Sequence, residues 1–155
     1  MNSGTPLDEW LFLVGDWLGR SSEDQFDEEG VVESTAVFSI VLGQGFLMCN
    51  NEARCKNRVI HRSISILFFD KIAKLFRRKS FFSYGFVNNE TEYTRSATEV
   101  RFEIMFEPLP RQFEGTRWRS YIRKLSETEI AEGLEVAKGE EEFKLYGETR
   151  LKKVV

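Results

Sequence analysis

The sequence predicts an all-β protein: an antiparallel up-and-down barrel of about ten strands, preceded by a short N-terminal helix. Three observations support this prediction. Apolar and polar residues alternate with a period of two after Gly15, and turn residues such as Gly30, Gly85 and Gly139 interrupt the alternation at short intervals. No convincing helix separates consecutive strands, so the connections are predicted to be hairpins. A meander of this length avoids unpaired edges by closing on itself.

The helix is predicted at the start of the chain, from Thr5 onward. Thr5 can cap it, Pro6 suits the first helical position, and Asp8 or Glu9 favours the N-terminal dipole. At α-helical spacing one apolar face would contain Leu7, Trp10, Leu11 and Val14.

The alternation and the turn residues divide the rest of the chain into ten predicted strands. These are residues 14–21, 31–42, 45–54, 58–69, 74–82, 86–95, 99–107, 114–125, 129–137 and 142–154. The ninth segment, EIAEGLEVA, is the weakest of these predictions because Glu, Ala and Leu favour a helix.

Composition indicates one domain over residues 1–155 and excludes several classes of function. With 22 Lys and Arg interspersed among 25 Asp and Glu, the chain has no basic field for nucleic acid. Its apolar runs are far shorter than the roughly 20 residues of a bilayer span, so no membrane partner is expected. Residues 1–9 contain no basic segment leading into an apolar one, and Cys49 and Cys55 read as reduced thiols. We therefore expect a cytoplasmic protein.

Two predicted strands carry charges that bear on what the barrel contains. The segments FRRKSFF (76–82) and TRWRSYIRK (116–124) each place at least one Arg or Lys on the inward face in either register. A barrel interior wide enough for polar groups, water or a ligand is the physical interpretation.

The stretch LVGDWLGR (13–20) contains a Gly-x-Trp, Gly15 to Trp17, directly after the predicted helix. This resembles the lipocalin and fatty-acid-binding-protein group of calycin barrels, in which such a tryptophan plugs one end and a basic residue of the last strand lies against it. The resemblance implies structural roles for Gly15, Trp17 and Arg150, with Lys152 and Lys153 as other basic residues of that strand. A cation–π contact there would contribute about 0.5–2 kcal/mol.

The resemblance extends to LGQGFL (42–47) followed by Glu52, FFDKIAKLF (68–76) and ETRLKKV (148–154). Together these look like lipocalin-like barrels of bacteria and archaea that are related to nitrobindin. Nitrobindins hold haem through a histidine near the C-terminus, whereas the sole histidine here is His61, on the fourth predicted strand. We therefore expect no cofactor, and haem or gas binding is kept as an alternative function.

Enzymatic motifs are missing from the sequence. One histidine and two cysteines six residues apart give neither a Cys-x-x-Cys nor a His pair, so no metal site is predicted. Nucleophile-elbow, phosphate-loop and dinucleotide-binding motifs are also missing. The chain is not predicted to be an enzyme.

Arg119 and Tyr121 form the most suggestive pair for binding. An Arg-x-Tyr places a guanidinium and a phenol side by side on one face of a strand, which suits a carboxylate. Fatty-acid-binding proteins use a similar pair nearer the chain end. The alternative is an outward-facing pair with Glu103, Glu107 or Glu135.

These observations favour a barrel that binds a small apolar or amphipathic molecule, with an anionic head group as one option. The predicted ligand-binding residues are Arg119, Tyr121, His61, Phe81 and Phe102, and further candidates for the wall are Phe46, Phe68 and Phe106. The alternative is a barrel filled by its own side chains, with a structural or interaction role as a homodimer.

Overall fold

The computed structural model describes residues 4–21 and 30–155. The charge pattern of residues 1–9 was used above to expect a cytoplasmic protein, and the first three of these residues lie outside the described range. The ten strands are β1 (Gly15–Ser21), β2 (Val32–Val41), β3 (Phe46–Cys55), β4 (Arg58–Asp70), β5 (Leu75–Phe82), β6 (Val87–Arg95), β7 (Glu99–Glu107), β8 (Thr116–Ser126), β9 (Glu129–Lys138) and β10 (Lys144–Lys153). A 3₁₀ helix spans Pro6–Leu13, and a 3₁₀ turn covers Arg111–Phe113.

The sheet is a closed barrel in which every strand pairs antiparallel with its neighbours in sequence and β1 pairs with β10. This confirms the predicted fold class, and each strand lies within two residues of its predicted bounds. The doubtful ninth segment is indeed a strand, hydrogen-bonded to β8 and β10 along its length. Pairing on both sides outweighs the helical preference of its residues.

The N-terminal helix differs from its prediction in type and in buried face. It is a 3₁₀ helix, with three residues per turn, and it buries Leu7, Trp10 and Leu13 at a spacing of three. Leu11 is only partly buried and Val14 is exposed. The prediction assumed α-helical spacing, which would put both residues on the buried face, whereas the spacing of three in the 3₁₀ helix turns them away from it. The first turn is closed by the amide of Asp8 donating to the Thr5 carbonyl rather than by a side-chain cap. No helix in residues 4–21 and 30–155 is long and apolar enough to span a membrane.

The helix closes one end of the barrel over a core of apolar side chains. Trp17 is buried there, its ring edge-on to Phe38 at 6.5 Å between centroids, and its indole N–H donates to the Leu13 carbonyl at 2.7 Å. The other fully buried members include Leu47, Phe76, Val100, Phe102, Ile122, Ile130 and Leu151. The tryptophan therefore plugs this end.

The cation against the tryptophan is Lys153, and the expectation for Arg150 is corrected. Trp17 pairs with Lys153 across β1 and β10, and the Lys153 Nζ lies 5.6 Å from the indole centroid. Arg150 has the opposite parity on β10 and forms an exposed ion pair with Glu148. Gly15 has a φ of +132°, and a Cβ there would lie 3.0 Å from the Lys153 Cε. The positive φ therefore favours glycine, whereas the flexible Lys153 side chain could shift away from an added Cβ.

Candidate functional site

A cavity of about 130 Å³ lies inside the barrel, beyond the apolar core that the helix covers. Its walls come from strands around the whole barrel and are dominated by polar side chains. Seven hydroxyl groups line it, those of Ser21, Ser34, Ser63, Ser65, Ser80, Ser120 and Thr149. Because these residues alternate with outward-facing ones along their strands, the barrel geometry itself gathers them.

Arg78 of β5 and Glu90 of β6 form the central ion pair of the cavity. The Arg78 Nε and Nη2 donate to the two Glu90 oxygens at 2.9 and 2.7 Å, a bidentate geometry. Ser80 and Ser120 also donate to Glu90, so each of its oxygens accepts two hydrogen bonds. The Arg78 guanidinium lies 5.2 Å from the centroid of Phe102, a residue of the apolar core below the cavity. The pair is thus fully compensated despite its burial.

A second carboxylate, Glu132 of β9, reaches the same guanidinium. Its Oε1 accepts from the Arg78 Nη1 at 3.0 Å, and about 24% of its side-chain surface remains accessible. Glu132 also lines the cavity. Burial raises the pKa of Glu132, an effect that the Arg78 charge only partly offsets and that the nearby Glu90 charge increases. Burial lowers the pKa of Arg78, but the charges of Glu90 and Glu132 raise it by more, so the pKa of Arg78 is raised overall.

The rest of the polar lining is neutral. The Ser21 Oγ lies 2.6 Å from both the Ser34 Oγ and the Thr149 Oγ1, so the three hydroxyls form a hydrogen-bonded cluster. Asn88 is 5% exposed, and within the described residues its Oδ1 has no hydrogen-bond partner. Burial, together with the Glu132 charge, raises the pKa of the Cys49 thiol. The cavity can therefore offer hydrogen bonds from several directions.

His61 lines the cavity where the barrel opens away from the helix. Its ring centroid lies 5.5 Å from that of Phe82 and 5.1 Å from that of Tyr84. Burial lowers the pKa of His61 to about 4, so the imidazole is neutral at pH 7. Ring contacts continue across this end of the barrel through Phe86, Phe106, Phe113, Trp118 and Tyr146.

Arg119 and Tyr121 face outward, so the outward alternative of the sequence analysis is the one observed. Arg119 lies between the rings of Tyr93 and Phe143, at 4.4 and 4.1 Å from their centroids, and forms an ion pair with Glu103 at 3.3 Å. The face of β8 that points inward is the one that carries Trp118, Ser120 and Ile122.

Tyr121 lies flat on the outside of the barrel against Gly133. A Cβ at Gly133 would come within 2.1 Å of the Tyr121 ring, so the close contact requires glycine. The phenol donates to the Glu148 carboxylate. Burial raises the pKa of Tyr121, and the bond to Glu148 adds to the increase.

The predicted aromatic wall is divided between the two faces of the sheet. Phe102 is fully buried and points inward, and His61 lines the cavity. Phe81 is 43% exposed on the outer face, beside a surface groove. Phe46 and Phe68 contact each other outside the barrel with tilted rings, 5.3 Å between centroids, whereas Phe106 belongs to the aromatic contacts at the opening.

Sequence reasoning missed Glu90, Glu132 and Asn88 as functional candidates. It did indicate an inward cation in FRRKSFF, and Arg78 is that residue. Its carboxylate partners could have been sought among acidic residues that lie two positions away from inward-facing apolar residues of the same strand, and therefore on the same face. Glu132 lies between Ile130 and Leu134 in this way. No group of three or more metal-ligating side chains occurs within the described part of the chain.

The comparisons with known proteins bear on the fold. The crystal structure of Rv2717c from M. tuberculosis superimposes with a TM-score of 0.72, covering 99% of this chain and 100% of that chain. The two sequences are 14% identical, so the similarity is one of fold alone. No family model matches the sequence. No curated protein matches it either. The chain thus has the ten-stranded closed barrel of a solved structure, and its relation to the nitrobindin group stays a prediction.

Proposed function

We propose that this barrel binds a small polar molecule of a few non-hydrogen atoms in its interior cavity. The observation that carries the proposal is the lining: seven hydroxyls, the Arg78–Glu90 pair, Glu132 and the Asn88 amide surround one space inside the barrel. A core built only for stability would bury apolar side chains here, since a buried ion pair is seldom more stabilising than well-packed apolar residues.

The size of the cavity limits the ligand. Drug-sized ligands occupy pockets of roughly 300–1,000 Å³, while an engineered apolar cavity of about 150 Å³ accepts benzene. A volume of about 130 Å³ therefore suits a molecule no larger than a single small ring. This size, together with the outward orientation of Arg119, favours a small polar ligand over the fatty-acid-like molecule expected from the sequence.

The polarity of the cavity determines how such a ligand would be held. Water fills polar cavities of this size, and a ligand displaces it only by reproducing its hydrogen bonds. The hydroxyls of Ser63 and Ser65 and the amide of Asn88 supply donors and acceptors for this exchange. Leu134 and Phe82 supply a short apolar surface in the same cavity.

The experiment is an NMR titration of the ¹⁵N-labelled protein with acetamide and 1-propanol as probes. We expect saturable shifts for amides of cavity-lining strands, with millimolar or tighter dissociation constants. The binding free energy of such probes is limited to about 1.5 kcal/mol for each of their few non-hydrogen atoms. Ser63→Leu, which fills the cavity, should abolish these shifts. Ser39→Leu, on the outer side of β2, is the matched control and should leave them unchanged.

Two results would contradict the proposal. One is that neither probe shifts any amide of the cavity-lining strands. The other is that Ser63→Leu, shown to be folded by its amide spectrum, binds both probes as well as the wild type does.

A further inference from the structure

The charges around the cavity do not balance. Arg78 supplies one positive charge and faces two carboxylates, those of Glu90 and Glu132. Glu90 accepts four hydrogen bonds, whereas only the Oε1 of Glu132 has a partner within residues 4–21 and 30–155. If both carboxylates are ionised, the interior therefore carries one uncompensated negative charge, and this charge lies on Glu132.

The other charged or titratable groups near Glu132 do not supply the missing cation. Among the described lining residues, His61 on β4 is neutral at pH 7 and Cys49 on β3 is a protonated thiol. The lining residues of β8 and β10, Ser120 and Thr149, are uncharged hydroxyls. Lys153 lies at the helix-covered end, against Trp17. Glu132 has a single charge-assisted bond, from Arg78, and about 24% of its side-chain surface is accessible, so it is the carboxylate of the cavity that can accept a further cation.

We propose that the cavity selects a small protonated amine, whose ammonium group pairs with the Glu132 carboxylate. This inference rests on the proposed function, since it names the chemical class of ligand for the same site. An ammonium has three donors and no acceptor, which suits a lining rich in acceptor oxygens. A metal cation is less well matched, because no cluster of metal-ligating side chains lies in the described chain.

Two features of the cavity complement such a ligand. Asn88 lines the cavity and is only 5% exposed. Its Oδ1 accepts no hydrogen bond from any described residue. Rotation of its amide would present that oxygen to an ammonium in the cavity. Leu134 and Phe82 are the apolar lining residues against which a short alkyl chain can lie. The ligand class is thus a primary alkylamine of a few carbon atoms.

Binding should release a proton. Below the pKa of Glu132, which burial raises, this carboxyl carries a proton when the cavity holds no cation. When the alkylammonium enters, the carboxyl loses this proton to solvent and the carboxylate accepts an N–H bond from the ligand. One proton leaves and one positive charge arrives, so the net charge of the cavity does not change.

The test is an NMR titration with three probes of similar size: propylammonium, 1-propanol and propionate, all as chloride or sodium salts at constant ionic strength. At pH 7 we expect propylammonium to bind roughly tenfold more tightly than 1-propanol, the effect of one charge-assisted hydrogen bond. Propionate should bind least. Glu132→Gln should remove the preference for the amine while 1-propanol still binds. The control Glu140→Gln makes the same change in charge on the exposed β9–β10 turn and should keep the preference.

Calorimetry supplies a second readout. Below the pKa of Glu132, titrations in phosphate and MOPS buffers, neither of which contains a primary amine, should show release of about one proton per bound amine in the wild type and none in Glu132→Gln. If 1-propanol binds as tightly as propylammonium, or if Glu132→Gln keeps the preference, the inference is wrong while the proposed function stands. If none of the three probes binds, the inference is wrong, and if acetamide does not bind either, the proposed function is wrong as well.

Discussion

Lys153 is the residue that secures the tryptophan at the closed end. Its Nζ lies over the Trp17 indole and donates to the Phe12 carbonyl at 2.7 Å. We expect Lys153→Met to lower the free energy of unfolding by roughly 1–3 kcal/mol through loss of this charge-assisted bond. Arg150→Met, on the exposed side of the same strand, should change it by less than about 0.5 kcal/mol. Urea denaturation measures both, and equal effects would contradict the assignment of Lys153.

Trp17 itself has a larger predicted effect. Its ring is 1% exposed, and truncation would leave a large void beside Phe38. Trp17→Ala should destabilise the protein by roughly 3–5 kcal/mol in the same denaturation assay. A variant of normal stability would show that the indole does not act as a plug.

The buried ion pair predicts a strong non-additivity. Arg78→Met leaves Glu90 buried without its cation and should cost roughly 3–5 kcal/mol. Arg78→Met combined with Glu90→Gln removes both charges and should recover part of that loss. A double-mutant cycle in urea gives the coupling energy. Simple additivity of the two changes would mean that the pair is not coupled as described.

His61 gives the protein a predictable pH dependence. Because its pKa falls to about 4 on folding, the unfolded chain takes up a proton more readily than the folded one below pH 6.5. Stability is therefore full above about 6.5 and decreases as the pH falls toward 4. The wild type should lose about 2 kcal/mol more than His61→Phe between pH 7 and pH 5, measured by urea titration at each pH. Parallel losses in the two proteins would remove this assignment.

At the scale of elements, the close contact of β8 with β9 depends on Gly133 lying under the Tyr121 ring. An added Cβ would overlap the ring at 2.1 Å, so Gly133→Ala should cost roughly 1–3 kcal/mol. In a Tyr121→Leu background the same substitution should cost much less, because the ring that it meets is gone. Thermal or urea unfolding of the four proteins tests the coupling, which an undiminished cost in the second background would refute.

The strands were predictable from sequence, whereas the facing of some strands was not. Turn residues and alternation placed every strand within two residues, because each hairpin in a meander is a local structure. β8 is different because it carries bulky or charged residues on both faces. Arg119 and Tyr121 could have faced inward on pattern alone, and the contacts of Tyr121 with Gly133 and of Arg119 with Phe143 join distant parts of the chain. Such contacts leave no local pattern in the sequence.

On the scale of the whole molecule, the barrel divides its interior into layers. Apolar side chains fill the end under the helix, polar side chains surround the cavity, and aromatic rings lie at the opening. An inward Arg was predictable, but its partners were not, because Glu90 and Glu132 are separated from Arg78 by 12 and 54 positions in sequence. Only closure of the barrel brings the three side chains together.

The central claim, that this polar layer is a binding site and not only a filled core, is tested most directly by crystallography. Crystals of the wild type and of Ser63→Leu would be soaked in propylammonium and in acetamide. We expect density for one probe molecule inside the wild-type barrel, within hydrogen-bond distance of Glu132 or Asn88, and no such density in Ser63→Leu. Ordered water alone in the wild-type cavity, with any probe confined to the outer surface, would contradict the account.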